Sequence, residues 1–170
     1  MLFRSDCELF IELKDGPQVV PPTAEIVRQS DKAARVVFIS FDIDTIAMAK
    51  QEMPDNDCLL IVVFEADYDH GRWNVLYDEG PGFRTVTKPY VEDDLIALVK
   101  QYGLTGIDTS FAVPPSLITR LAAEKLRSVV WTVDEPSIAV DMAQLGITTI
   151  TTDRPLEIRN ALIAAGFTLR

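Results

Sequence analysis

Glu8-Leu9-Phe10-Ile11-Glu12-Leu13-Lys14 reads as a β-strand, apolar at every second position and charged toward its end, and it stands almost at the start of the chain. Five further runs are rich in Val, Ile, Phe and Thr: Arg35 to Phe41, Cys58 to Phe64, Thr105 to Thr109, Ser128 to Val133, and Ile147 to Thr151. Between them lie segments of helical period: Pro22 to Ser30, Ile43 to Glu52, Val91 to Tyr102, Pro115 to Leu126, Pro136 to Leu145 and Pro155 to Ala165. Proline opens four of these six, where its missing N–H is harmless, and Gly103, Gly146 and Gly166 follow three of them as helix C-caps.

Strand and helix alternate six times, which predicts parallel pairing through right-handed crossovers. An open doubly wound sheet and a barrel both satisfy that rule. A strand so early, already carrying charge at its end, reads as the middle of a fold and favours the later part of a barrel. One connection breaks the rhythm. Glu65 to Pro89 holds Tyr68, His70, Trp73, Tyr77 and Phe83, with Asp78-Glu79-Gly80-Pro81-Gly82 as a turn between two short alternating runs. A hairpin is expected there, either a flap over a functional site or a surface decoration.

The chain is read as one domain, 1–170, with no linker or low-complexity tract. Its 170 residues, 48% hydrophobic, suffice for one buried core but fall short of the roughly 250 typical of a complete (β/α)₈ barrel. Met1 to Ser5 are expected to be non-native, because Leu2-Phe3-Arg4-Ser5 is what the tail of a common sequencing adapter encodes. The formal net charge of -10 argues against nucleic acid or an anionic membrane as partner, while leaving a small anionic substrate open. Cys7 and Cys58 have no metal-ligand spacing and are expected to be buried, reduced thiols. No apolar run approaches the roughly 20 residues that span a bilayer. A cytoplasmic location is favoured, with the compartment and oligomeric state left open.

In the first strand Phe10, Glu12 and Lys14 share one face, and Leu9, Ile11 and Leu13 the other. With the aliphatic face against helices, Glu12 and Lys14 point inward at the strand's C-terminal end. In a barrel that end is the mouth, where a carboxylate can hold a divalent metal and an ammonium can neutralise a phosphate oxygen. The alternative is an edge strand bearing a solvated ion pair of little energetic weight.

Val129-Val130-Trp131-Thr132-Val133-Asp134 is followed, one helix later, by Leu145-Gly146-Ile147-Thr148-Thr149-Ile150-Thr151-Thr152-Asp153-Arg154-Pro155. Together they resemble the C-terminal signature of the glycerophosphodiester phosphodiesterase family, a strand ending Trp-Thr-Val before a last strand ending Thr-Asp-x-Pro. Upstream, Ile11-Glu12-Leu13-Lys14 is similar to that family's third strand, Ser40-Phe41-Asp42 to the end of its fourth, and the Gly106 to Ser110 run to its sixth. The resemblance covers the chain from Glu8 onward. It implies an α/β fold, an incomplete TIM-type barrel of about six parallel βα units corresponding to strands 3 to 8. It implies hydrolysis of a glycerophosphodiester to glycerol 3-phosphate and an alcohol, assisted by a divalent metal cation, Ca or Mg. Glu12 would be a metal ligand, Lys14 a phosphate contact, and Trp131 part of the substrate-binding wall; a core aromatic is the plainer reading of Trp131. Asp153 is expected to cap the last helix.

The family's general acid and base are two histidines, the first in a His-Arg pair, and a Glu-x-Asp supplies two further metal carboxylates. In the family these follow its first and second strands, and neither stands ahead of the Glu12 strand in this sequence. The only histidine, His70, falls in the long connection and is expected to face solvent. The resemblance therefore implies no catalytic residue in this chain, a phosphodiesterase portion inactive alone. Two alternatives stand beside it: a catalytically dead barrel serving as a binding or assembly module, and, less well matched at Trp131 and Asp153, a relative of phosphatidylinositol-specific lipases.

Overall fold

The computed structural model describes residues 7–80 and 84–168. Met1 to Ser5, and Phe83 with Pro81 and Gly82 of the expected turn, lie outside the described residues. Beside short 3₁₀ turns at Pro17–Val19 and Ala33–Arg35, eight strands and six α-helices follow one another among the described residues. They are β1 (Leu9–Glu12), α1 (Val20–Arg28), β2 (Val36–Ser40), α2 (Ile43–Glu52), β3 (Asp57–Asp67), β4 (Arg72–Asp78), β5 (Thr85–Pro89), α3 (Glu92–Gln101), β6 (Gly106–Ser110), α4 (Pro115–Ala123), β7 (Arg127–Trp131), α5 (Pro136–Leu145), β8 (Thr149–Ile150) and α6 (Pro155–Ala164).

Six strands pair in parallel in the order β1-β2-β3-β6-β7-β8, with registers such as Glu12↔Ile39, Ile39↔Leu59, Leu59↔Gly106 and Gly106↔Arg127. β2, β3 and β7 are apolar on both faces. Phe38, Leu60, Val62, Ile107 and Val130 pack against the helices, alongside Val27, Ile46, Val99, Leu117, Leu121 and Leu162. A smaller cluster, Val37, Leu59 and Val129 with Phe10 and Ile39, lines the opposite face. Strands apolar on both faces belong to a parallel sheet covered on both sides.

The sheet curls until its first and seventh strands meet. Phe10 of β1 packs against the concave cluster that includes Val129 of β7, and the Arg127 guanidinium sits 5.2 Å over the Phe10 ring. Arg127 also donates to Glu8 at 2.6 Å, to Asp57 at 2.8 Å and to Thr149 at 3.3 Å, tying β7 to the residue before β1, to β3 and to β8 at the N-terminal rim. The architecture is an incomplete TIM-type α/β barrel. Among the described residues neither β1 nor β8 has a second strand neighbour.

The long connection forms a hairpin, as its turn signal predicts. β3 continues past its parallel section and pairs antiparallel with β4 from Val63↔Leu76 to Asp67↔Arg72, and β4 pairs with β5. Its aromatic residues divide. Tyr77 is buried in the helix-side core, Trp73 packs against that core, and Tyr68 is 91% exposed.

Local chemistry sets the helix ends. The Asp42 side chain accepts from the Thr45 N–H at 2.7 Å and starts α2, and Gly146 at φ 104° ends α5. Two expectations need correction. Cys58 is buried, its thiol pushed up to about 12 by burial, but Cys7 is exposed, because it precedes β1 and no helix covers it. Asp153 makes no side-chain cap on α6. Instead its N–H donates to Asp134 Oδ1 at 2.8 Å, and Thr152 Oγ1 donates to the same oxygen at 2.9 Å.

Candidate functional site

At the C-terminal end of β1 the alternation of the strand decides which groups face the mouth. Phe10 joins the concave cluster and Leu13 the helix-side core, so Glu12 and Lys14 emerge on the concave side. Lys14 Nζ stands 3.2 Å from Glu12 Oε2, with the lysine side chain 71% exposed and the glutamate 33%. A pair so exposed contributes less than about 1 kcal/mol, and its partners can exchange for a ligand at little cost.

The two line a cavity of about 300 Å³ with Ser40, Phe41, Asp42 and Asp78. Its floor is fixed. Ser40 Oγ donates to the Leu13 carbonyl at 2.8 Å and accepts from the Asp42 N–H at 3.2 Å, joining β1 to β2. The Asp78 N–H donates to the Phe41 carbonyl at 2.9 Å, which docks the hairpin against the rim. A second cavity, about 320 Å³, continues across the hairpin between Phe41, Glu65, Asp78 and Thr85. The hairpin is therefore a wall of the mouth.

Trp131 ends β7 across the concavity. Its ring meets Phe41 edge to face, with centroids 6.2 Å apart. Phe41 thus stands between the indole and the cavity of Glu12 and Lys14; Trp131 itself does not line that cavity. His70 lies on the hairpin's far end, 64% exposed, with Nδ1 2.9 Å from Asp67 Oδ1.

The sequence marks β6 as a strand without marking a functional side chain on it. Ile107 packs on the helix side, so Asp108 and Ser110 face the concavity, Asp108 beside Ile61 and Val129, and Ser110 beside Trp131. Asp108 is 3% exposed, and burial, followed by the Glu12 charge, pushes its carboxyl up to about 7. Asp108 Oδ1 and Ser110 Oγ are both buried without a hydrogen-bond partner. The alternation of Asp108 and Ser110 with Ile107 carries the signal that could have found them.

Among the described residues no three His, Cys, Asp or Glu side chains gather closely enough to hold a metal ion. Glu12 offers one carboxylate at the mouth, the donor type that a hard divalent cation takes. No helix among the described residues is long and apolar enough to cross a membrane.

The model of the glycerophosphoryl diester phosphodiesterase family matches residues 10–157. No curated protein matches the chain. Among solved structures, a Silicibacter pomeroyi DSS-3 protein provisionally assigned as a glycerophosphoryl diester phosphodiesterase superposes with TM-score 0.71 and 23% identity, covering 96% of this chain and 52% of its own. A glycerophosphodiester phosphodiesterase from Parabacteroides distasonis gives TM-score 0.64 at 21% identity, covering 93% and 57%. An Oleispira antarctica phosphodiesterase in complex with the product sn-glycerol 3-phosphate gives 0.66 at 14%, covering 92% and 55%. The chain spans little more than half the length of these structures.

Proposed function

Because the chain belongs to the glycerophosphoryl diester phosphodiesterase family, we propose that it serves the metal-assisted hydrolysis of a glycerophosphodiester to sn-glycerol 3-phosphate and an alcohol, contributing the phosphate-holding side of the site. The observation that carries this is the Glu12–Lys14 pair, 3.2 Å apart on the cavity at the C-terminal end of β1. A divalent cation, Ca or Mg, would neutralise charge on the phosphoryl oxygens. Glu12 would give that cation one carboxylate oxygen. Lys14, mostly exposed and paired with Glu12, would turn its ammonium to a non-bridging phosphate oxygen, where its positive charge opposes the charge that builds as water attacks. Phe41 and Trp131 would present apolar surface to the glycerol carbons.

Cleavage also needs a proton acceptor and a proton donor. His70 is remote from the mouth, at the far end of the hairpin, and Asp42 is committed to capping α2. The acid and base of the reaction therefore come, in this reading, from outside the described residues, and the chain alone binds without turnover.

Incubation of the chain with a glycerophosphodiester and Ca or Mg should release no glycerol 3-phosphate above the blank, while glycerol 3-phosphate itself should bind and Lys14→Ala should weaken that binding. Turnover by the chain alone would contradict the division of labour. Absence of product binding would contradict the reading as a whole.

A further inference from the structure

A diester has two substituents on phosphorus, and with the glycerol against Phe41 and Trp131 the other needs space beside the phosphate. The cavity of about 320 Å³ across the hairpin supplies it. Phe41 and Asp78 line both this cavity and the one that holds Glu12 and Lys14, so the two adjoin across those side chains. The alternation of the hairpin decides what faces the space. Phe64, Val75 and Tyr77 turn to the helix-side core, which leaves Val63 and Glu65 of β3, and Leu76 and Asp78 of β4, on the opposite face, with Thr85 of β5 paired to Asp78.

The wall so formed is apolar at Val63, Leu76 and Phe41 and negative at Glu65 and Asp78. Neither carboxylate has an ion-pair partner among the described residues. Glu65 is exposed, and Asp78 accepts from the Thr85 hydroxyl at 2.7 Å, a bond that fixes its direction without cancelling its charge. The cations on β4 and β5 are engaged elsewhere, Lys88 by Glu79 and Tyr77, and Arg72 by Asp67. A neutral alcohol gains nothing from these charges, and an anionic one is repelled. An alcohol that ends in an ammonium or a quaternary ammonium is attracted by both carboxylates and by the ring of Phe41. Its charge also offsets that of the phosphodiester, which enters a mouth where Lys14 is the one cationic side chain among the described residues lining the two cavities.

We propose that this second cavity is the alcohol subsite, and that Glu65 and Asp78 make it select glycerophosphodiesters whose alcohol carries a positive charge. The inference rests on the reading of Glu12 and Lys14 as the phosphate end and names the substrate class for that same site. Glu65 is the specificity residue to vary, since it lines the second cavity and not the first.

Calorimetric titration of the chain, in Ca²⁺ or Mg²⁺, with sn-glycero-3-phosphocholine, sn-glycero-3-phosphoglycerol and sn-glycerol 3-phosphate tests this. The first two share the phosphodiester and differ in the charge of the alcohol, so the ratio of their affinities cancels any general effect of a variant on folding or on the phosphate end. Wild type should bind the choline ester about threefold to tenfold more tightly than the glycerol ester. Glu65→Gln should reduce that preference by about threefold, Asp78→Asn likewise, and Glu65→Lys should reverse it. Equal affinity of wild type for the two diesters, binding of neither diester, or a preference that survives Glu65→Lys overturns the subsite, and the phosphate reading stands so long as glycerol 3-phosphate binds. A wild-type chain that binds none of the three overturns the phosphate reading and the subsite with it.

Discussion

At Asp108 burial and a neighbouring carboxylate act in the same direction, and the carboxyl is raised from 3.8 to about 7. The folded protein then binds a proton that the unfolded chain releases between about pH 4 and pH 7. The destabilising influence of Asp108 is absent below the unfolded value, grows across that window, and is complete above the folded one. Asp108→Asn removes the titration, so its stability relative to wild type should improve by on the order of 2–4 kcal/mol between pH 4 and pH 7.5, measured by urea unfolding. Parallel pH profiles for the two proteins would contradict this. Glu12 and Lys14 could be placed from sequence because Ile11 and Leu13 flank them with unambiguous apolar residues. Asp108 was harder to single out: its alternation with Ile107 marks the inward face, but Thr109, polar and buried on the helix side, weakens the contrast. The sequence leaves Trp131 open between wall and core, and its edge-to-face contact with Phe41 is a tertiary contact that no local pattern marks.

The elements themselves were largely legible. α2 and α5 begin and end where Asp42, Pro136 and Gly146 place them, because caps act locally. α1 starts earlier than its second proline suggests, at Val20, since Pro21 and Pro22 both fit a first turn whose N–H groups have no intrahelical partner. β8 is shorter than its apolar run. Among the described residues it has one neighbour, and beyond Ile150 the ladder continues as single bonds such as Thr151 N–H to the Val130 carbonyl at 2.8 Å. The pairing of β6 with β7 depends on Gly106. A methyl group there would meet the Arg127 carbonyl oxygen at 1.9 Å, so the two strands could not keep their present separation. Gly106→Ala should lower stability by about 3 kcal/mol or more and displace Arg127 from Glu8 and Asp57. Thermal melting close to wild type would show that the strands part at little cost.

The whole molecule is a curved parallel sheet held closed at its N-terminal rim by Arg127 and left with two strand edges that have no second neighbour among the described residues. That β2, β3 and β7 are buried on both faces was legible in their apolar runs. The Arg127 cross-link, which joins residues 119 apart to Glu8, was not, because nothing local marks it. Unpaired parallel edges recruit other strands, and a lysine on an edge opposes this. Leu9, 42% exposed on β1, is placed to test it: Leu9→Lys should reduce concentration-dependent self-association in sedimentation velocity, and a wild-type chain monomeric at every concentration would contradict the expectation. The central claim is that the mouth at Glu12 and Lys14 holds a phosphate through a divalent cation. Its most direct test is calorimetric titration of the chain with sn-glycerol 3-phosphate, with and without Ca²⁺ or Mg²⁺, for wild type and Glu12→Gln. Binding should require the cation in the wild type and fall below detection in the variant; equal binding by the two proteins, or binding indifferent to the cation, would contradict it.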